Sequence, residues 1–194
     1  MNLPNILTTA RVALTFATAG LLLADGQYLP SAAFVLYTVG GITDWFDGYI
    51  ARKCKIVTNY GKFMDALSDK IMVVTMFMTL FALNLYGDWT AFALCCAIIS
   101  MAREFYISGV RMLAAKNGTV IAAETVGKYK AAFQMYSIGA VICAYALKTD
   151  FTQIDTPLYN LAFFSGIATL GISTLLSIIS GIGYSVKYSS LLKG

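Results

Sequence analysis

Long apolar stretches separated by short charged connections fill nearly all of this sequence. Six of them are long enough to cross a bilayer, because a spanning helix needs about 20 apolar residues. They run over residues 6–24, 31–51, 61–86, 90–114, 126–147 and 157–184. In a chain of 194 residues, 58% are hydrophobic and only 12% charged, which excludes a soluble globule and a disordered chain. The pattern predicts an all-α integral membrane fold with six transmembrane helices, forming one membrane-embedded domain over residues 1–194.

The charges of the connections predict how the chain is oriented in the membrane. Bases cluster after the second and fourth stretches, at Arg52, Lys53, Lys55 and Lys62 and then at Lys116, with Arg111, Lys128 and Lys130 on its flanks. The other three connections contain one base among four acids. Because basic loops stay on the cytoplasmic side, the even-numbered connections and both termini are predicted to be cytoplasmic. A net charge of +4 distributed in this way gives no reason to expect a nucleic-acid partner.

The acidic residues include a dense cluster near one predicted membrane boundary. Four of the ten acids lie close together, at Asp44, Asp47, Asp65 and Asp69. A carboxylate inside a membrane segment costs about 2.5 to 3.5 kcal/mol on insertion scales, so the cluster needs compensating charge. Helical spacing places these acids and the small residues among them on two stripes, Asp44, Asp47, Gly48 and Ala51 on one helix and Gly61, Asp65 and Asp69 on the next. The short connection makes the two helices antiparallel neighbours, so the stripes can face each other at the cytoplasmic boundary.

The chemistry of this cluster points to hard cations. Histidine is absent, which removes the commonest general base and a common zinc ligand. The negative charge of four neighbouring carboxylates must be compensated, either by protons or by divalent cations. A set of ligands made only of oxygen atoms suits Mg²⁺ or Mn²⁺. Two such ions would balance the four carboxylates, and a two-metal site is suited to phosphoryl chemistry on a diphosphate. Arg52 follows on the same helix, where its guanidinium can bind phosphate.

The acids are also compatible with two alternative roles. Asp65 and Asp69 alone can be surface ion pairs with Lys62 and Lys70, but this leaves Asp44 and its neighbour at position 47 unexplained. A cation transporter would also place aspartates in membrane helices. Transport predicts acids near the bilayer midplane and often an inverted repeat, whereas this cluster lies towards one boundary and no repeat is visible.

The spacing of the cluster resembles the signature of the CDP-alcohol phosphotransferase family. All eight defined positions are present, in the order D44-x2-D47-G48-x2-A51-R52-x8-G61-x3-D65-x3-D69. The resemblance implies a six-helix membrane enzyme, usually a homodimer, that holds two divalent cations and a CDP-linked lipid at the cytoplasmic end of the bundle. It assigns the metals to Asp44, Asp47, Asp65 and Asp69, and the nucleotide and diphosphate site to Asp47, Gly48, Ala51, Arg52 and Gly61. Asp69 is also implied as the general base.

The resemblance extends beyond the signature, over residues 1–135. Residues 3–8 with Arg11, and the stretches that contain Arg103 and Lys128, are similar to a bacterial branch of the family that makes phosphatidylglycerophosphate. This similarity implies CDP-diacylglycerol and sn-glycerol 3-phosphate as substrates, and an active site on the cytoplasmic face of the inner membrane. Asn5, Thr8 and Arg11 are expected to reach the nucleotide or headgroup, with ordinary capping or snorkelling as the alternative.

Three bases in the centre of the chain suit a phosphorylated acceptor. Arg103 and Arg111 are eight residues apart on one predicted helix, and Lys128 opens the next segment on the same side of the membrane, so the three can converge on a phosphate dianion. Alternatively, Arg111, Lys128 and Lys130 snorkel to anionic headgroups and Arg103 pairs with Glu104 or Asp88. The rival acceptors within the family are inositol phosphate, serine and phosphatidylglycerol; the three bases disfavour serine but not inositol phosphate.

The predicted orientation can be tested by labelling. The alternation of basic and acidic connections places Lys55 and Lys116 on the cytoplasmic side, and Asp25 and Asp88 on the opposite side. Cysteine labelling of intact cells is expected to modify a cysteine introduced within residues 84–88 and not one at position 116. The reverse pattern would refute the orientation.

Overall fold

The computed structural model of the protein describes residues 3–53, 59–116, 121, 125–151 and 156–188. Six α-helices account for nearly all of them: α1 (Leu3–Leu23), α2 (Leu29–Lys53), α3 (Asn59–Ala82), α4 (Thr90–Lys116), α5 (Thr125–Asp150) and α6 (Thr156–Lys187). A short 3₁₀ turn, Gly87–Trp89, leads into α4. Within the described ranges there is no β-strand. Each predicted apolar stretch corresponds to one helix, so the predicted all-helical fold class is confirmed.

Three segments are long and apolar enough to cross a membrane, judged on the described residues alone. They are Gly87–Lys116, Thr125–Asp150 and Pro157–Lys187. Shorter apolar helical runs occupy Thr8–Leu23 and Leu29–Thr43. The protein is therefore an integral membrane protein, while the crossing of the bilayer by all six helices stays a prediction.

The last helix has its polar side inward and its apolar side outward, the reverse of a helix on a soluble protein. Ser173, Ser177, Ser180 and Tyr184 are buried along one stripe of α6, whereas Leu175, Ile179, Ile182 and Val186 are each at least 60% exposed on another. Large aliphatic side chains exposed in a continuous stripe are stable against lipid rather than water. The distribution therefore agrees with a membrane environment for this helix.

The end of α3 differs from the prediction, which extended the helix to residue 86. Asn84 has a backbone φ of 51°, and it terminates the helix with a C-terminal cap of the Schellman type. The amide of Asn84 donates to the carbonyl of Phe81 at 3.0 Å, and the amide of Leu85 donates to the carbonyl of Leu80 at 3.0 Å. Asparagine tolerates the left-handed conformation that this cap requires, so the chain turns although the residues around it are apolar.

The described contacts divide the chain into two compact units. Unit 1 comprises Met1–Tyr86 and Ile138–Phe164, and unit 2 comprises Gly87–Ser137 and Ser165–Gly194. Helices α5 and α6 each continue from one unit into the other. The single membrane domain over residues 1–194 stays a prediction.

In unit 1, α1 packs against both α2 and α3, around buried side chains that include Leu22, Ala33 and Phe77.

The start of α2 is capped by a carboxylate from the end of α5. Asp150 accepts hydrogen bonds from the backbone amide of Tyr28 at 3.2 Å and from that of Ser31 at 2.8 Å, and also from the Ser31 hydroxyl. An anion at a helix N-terminus satisfies unpaired amides and interacts favourably with the helix dipole. This contact ties the N-terminus of α2 to α5.

Candidate functional site

The predicted aspartate site is built on α2 and α3. The helical backbone of α2 carries Asp44 and Asp47 through to Lys53, and that of α3 carries Gly61, Asp65 and Asp69 in register on one stripe. Gly61 is half-buried and the Asp69 side chain is exposed. Seven of the predicted site residues have side chains outside the described part of the structure: Asn5, Asp44, Asp47, Gly48, Ala51, Arg52 and Asp65.

Asp69 forms an ion pair with a buried arginine of α1. Nη1 of Arg11 lies 3.0 Å from Oδ1 of Asp69. The arginine side chain is only 1% exposed, whereas that of Asp69 is 57% exposed. The carboxylate therefore connects a buried cation on one side with the accessible surface of unit 1 on the other, a position from which it can also meet a ligand.

The same guanidinium nitrogen has a second acceptor on α3. Arg11 Nη1 donates to Oγ of Ser68 at 3.1 Å, and Ser68 is itself buried. The hydroxyl of Thr15, one turn along α1, donates to the carbonyl of Arg11 at 2.9 Å. Thr8, predicted to reach the nucleotide, is also buried, at 4% exposed.

The donor chemistry of the aspartate site fits divalent cations. Among the described side chains, no three His, Cys, Asp or Glu groups come close enough together to hold a metal ion. Of the four predicted ligands, however, only Asp69 has a described side chain. A carboxylate offers about four lone-pair sites, so the bond from Arg11 to Oδ1 is compatible with metal coordination by Asp69. Carboxylate oxygens are the ligands that Mg²⁺ and Mn²⁺ prefer.

In unit 2, Arg103 of α4 is held between α5 and α6. Its Nε donates to Oγ of Ser180 at 2.9 Å. A β-carbon built on Gly127 would lie 3.4 Å from its Nη2, and one built on Gly181 would lie 3.5 Å from its Cγ. These are ordinary van der Waals distances, so the half-buried arginine lies against both α5 and α6.

Arg111 reaches the same helix one turn further on. Its Nη2 donates to the hydroxyl of Tyr184 at 2.9 Å, and its guanidinium carbon lies 5.7 Å from the centre of the Tyr184 ring. Nε of Arg111 is buried, and the described part of the chain supplies no acceptor for it. Ser180 and Tyr184 are four residues apart on α6, so Arg103 and Arg111 bind the same face of that helix.

The third predicted base, Lys128, is exposed, and the residues that the structure describes provide it with no ion pair. Lys130 behaves differently, because it is 1% exposed and pairs with Glu104 of α4. Ser173 of α6 donates to the backbone carbonyl of Lys130 at 3.1 Å. The alternative in which Lys130 snorkels to the headgroups is therefore wrong: Glu104 lies within reach in the helix packing of unit 2, and a buried ammonium needs such a partner.

The polar stripe of α6 was not predicted from the sequence. Its residues Ser180 and Tyr184 bind the two arginines, yet the high proportion of apolar residues in α6 indicates only an ordinary membrane helix. The signal that identifies the stripe is the spacing of its polar residues, which recur every three or four positions from Ser173 to Tyr184.

Comparison with known proteins identifies a family match over most of the chain. Residues 1–178 match the family described as CDP-alcohol phosphatidyltransferase. A Bacillus subtilis (strain 168) protein named CDP-diacylglycerol--glycerol-3-phosphate 3-phosphatidyltransferase is 31% identical over 204 residues, covering 99% of this chain and 97% of that protein.

Two further relatives carry related names. A Haemophilus influenzae protein with the same name is 35% identical over 148 residues, which cover 74% of this chain and 77% of the relative. A protein of Oryza sativa subsp. japonica named Cardiolipin synthase (CMP-forming) is 30% identical over 195 residues, which cover 96% of this chain and 57% of the relative.

The Glu104–Lys130 pair predicts an asymmetric response to mutation. Glu104→Gln leaves a buried ammonium without its counter-ion, whereas Lys130→Met leaves a carboxylate that is 23% exposed. Since removing one partner of a buried pair costs about 3 to 5 kcal/mol, Glu104→Gln is expected to lower the thermal stability in detergent more than Lys130→Met does. The double variant should be more stable than Glu104→Gln alone. Equal losses in both single variants would contradict this assignment of charges.

Proposed function

We propose, since the chain belongs to the CDP-alcohol phosphatidyltransferase family, that it transfers the phosphatidyl group from CDP-diacylglycerol to sn-glycerol 3-phosphate, giving phosphatidylglycerophosphate and CMP. The observation that carries this proposal is the similarity along 99% of the chain to a relative named for that reaction. Two further features support it, the complete aspartate signature and the pair of arginines bound to one face of α6.

In the proposed reaction Asp69 is the general base. Its carboxylate is 57% exposed and accepts the proton of the primary hydroxyl of glycerol 3-phosphate. The hydroxyl oxygen attacks the phosphorus that bears diacylglycerol, a new P–O bond forms, and the bond to CMP breaks. General base catalysis of this kind typically contributes about 10² to 10⁴ in rate.

Members of this family use divalent cations, and we propose that this chain holds two, Mg²⁺ or Mn²⁺. The residues that would hold them are Asp44, Asp47, Asp65 and Asp69, with Gly48, Ala51, Arg52 and Gly61 beside the nucleotide and diphosphate. When bound, the cations would neutralise the diphosphate and the charge that develops on departing CMP. The chain itself contributes the carboxylates, and Gly48 allows close approach of the ligand to the backbone.

Arg103, Arg111 and Lys128 are proposed to hold the phosphate of the acceptor. Arg111 is half-buried, and the hydrogen bond from its Nη2 to Tyr184 fixes its guanidinium against α6. Arginine binds a phosphate in two parallel hydrogen bonds, which orients as well as attracts it. The exposed Lys128 would add a third positive charge to those of the two arginines.

Phosphatidylglycerol is the second candidate for the acceptor. A relative named as a cardiolipin synthase covers 96% of this chain at 30% identity, and phosphatidylglycerol, like glycerol 3-phosphate, offers a primary hydroxyl next to a phosphate. Its phosphate is a diester with one negative charge, so it needs fewer bases than the monoester dianion. Three bases in unit 2 therefore favour glycerol 3-phosphate.

The location and assembly of the protein are also proposals. We place it in the inner membrane with the aspartate site facing the cytoplasm, because the bases flank the connections after α2 and α4. The homodimer implied by the family resemblance belongs to the same proposal.

The direct test is CMP release from CDP-diacylglycerol by the purified protein. Glycerol 3-phosphate, phosphatidylglycerol, inositol phosphate and serine are offered separately as acceptors. The proposal expects the highest kcat/KM with glycerol 3-phosphate and a lipid product containing phosphatidylglycerophosphate. A higher kcat/KM with phosphatidylglycerol than with glycerol 3-phosphate would select the second candidate. Failure to release CMP with any of the four acceptors would contradict the family reaction.

The aspartate assignment predicts a loss of activity on removing either the metal or a ligand charge. Chelator is expected to abolish CMP release, with recovery on adding Mg²⁺ or Mn²⁺, and Asp44→Asn or Asp65→Asn should be inactive. Asp69→Asn should lower kcat by about 10² to 10⁴-fold. Asp88→Asn, which changes an exposed acid in the turn before α4, serves as the control and should retain activity. Full activity of any of the three site variants would refute its role.

The acceptor site predicts a selective change in KM. Loss of one charge-assisted phosphate contact costs about 1.5 to 3 kcal/mol, or roughly 10 to 150-fold. Arg111→Ala and Lys128→Ala should therefore raise the KM for glycerol 3-phosphate by about this factor, while the KM for CDP-diacylglycerol stays near its starting value. The exposed Lys116→Ala is the matched control on the neighbouring helix end. If the KM values for both substrates rise together, the acceptor site has been misplaced.

A further inference from the structure

Arg11 combines nearly complete burial with a contact to the proposed general base. Its side chain is 1% exposed, and one nitrogen, Nη1, donates to both Ser68 Oγ and Asp69 Oδ1. A guanidinium nitrogen of this type has two hydrogen atoms, so one nitrogen serves both acceptors. The expectation that Arg11 reaches the nucleotide or headgroup directly does not fit this position, because a side chain so deeply buried has almost no surface on which a ligand can bind.

The guanidinium is held by these hydrogen bonds to α3. A small cavity borders Arg11 and is lined also by Thr15, Thr18, Tyr37 and Met76. A side chain beside a cavity lacks packing contacts on that side. The acceptors on α3 therefore contribute to its orientation.

The contact also restricts Asp69. An exposed aspartate ordinarily samples several rotamers, and a side chain that is 57% exposed is little restrained by packing. A charge-assisted hydrogen bond to one oxygen is among the stronger restraints available to a carboxylate. Because the arginine is 1% exposed and the aspartate 57% exposed, the bond to Oδ1 restrains the carboxylate from its buried side.

We propose that Arg11 is a positioning residue for catalysis: it binds Oδ1 of Asp69 and so holds the carboxylate in the orientation in which it takes the proton from the acceptor hydroxyl. This inference rests on the proposed function, in which Asp69 is the base. Ser68 is the second anchor, since it fixes Nη1 between α1 and α3. In this proposal both residues act through Asp69.

The test compares kcat and KM for Arg11→Met, Arg11→Lys and Thr15→Val in the CMP-release assay. Methionine fills a similar volume without charge, and apolar replacement of a buried ionic group is often tolerated in folding. Since misplacing a catalytic group by about 1 Å can cost about 10²-fold, Arg11→Met should lower kcat by about 10- to 100-fold with both KM values changed less than twofold. Arg11→Lys keeps the charge and should lower kcat less, by about 3- to 10-fold.

Thr15→Val is the matched control. Thr15 is buried on the same helix and borders the same cavity, and its hydroxyl contacts only the backbone carbonyl of Arg11 among the described residues. It should keep the kcat of the unmodified protein. A loss in Thr15→Val equal to that in Arg11→Met would show that any disturbance of buried α1 impairs the enzyme, and would overturn the inference.

A double variant separates positioning from an independent role. In the Asp69→Asn background there is no base to position, so adding Arg11→Met should lower the remaining rate by less than about threefold. Multiplicative losses would overturn the inference, as would a rise in the KM for CDP-diacylglycerol at unchanged kcat, which would indicate a nucleotide contact.

The inference and the proposed function can fail separately. If Asp69→Asn is fully active, the base assignment is wrong and the inference falls with it. If Asp69→Asn is impaired while Arg11→Met has the unmodified kcat, only the inference is wrong. Should Arg11→Met fail to fold, Arg11→Lys decides alone, because an unmodified kcat in that variant would exclude a geometric requirement for the guanidinium.

Discussion

A charged side chain inside an apolar helix bundle must find a partner within the protein, because lipid offers none. Among the described residues, Arg11 and Lys130 are the cations buried almost completely, and each pairs with an acid on another helix, Asp69 and Glu104 respectively. Lipid tails are as apolar as leucine, so hydrophobicity alone does not decide which helices associate. Polar contacts contribute to that choice: an ion pair joins α1 to α3 in unit 1, and another joins α4 to α5 in unit 2.

The same contacts connect packing with chemistry. In unit 1 the partner of the buried cation is the proposed base, and in unit 2 Ser180 and Tyr184 bind the arginines proposed for the acceptor. A buried polar group left without its partner costs more than the pair contributes. A substitution of one residue in such a pair therefore destabilises the protein unless its partner changes too. Each of these functional side chains has a polar neighbour because a buried polar group needs a hydrogen-bonding or charged partner.

The sequence predicted the helices well because long apolar stretches have few alternatives in a membrane. Family membership was also predicted from the aspartate spacing, and the comparison confirms it. The end of α3 was missed because a single left-handed residue, Asn84, stops a helix whose flanking residues remain apolar. The partners of Lys130 and Arg111 were missed for another reason. Periodicity identifies the face on which a residue lies, but not which helix packs against that face, so Glu104 and Tyr184 could be assigned only from the tertiary structure.

The cap on α2 has a consequence for the order in which the protein is made. Asp150 is separated along the chain by 122 residues from Tyr28 and by 119 from Ser31, the residues whose amides it accepts. At roughly 5 to 20 residues per second of synthesis, the cap is translated on the order of ten seconds after the helix that it completes. During that interval α3, α4 and most of α5 are synthesised, while the first turn of α2 lacks this acceptor for its amides. The helix that carries Asp44 and Asp47 is thus finished late, by a residue near the end of α5.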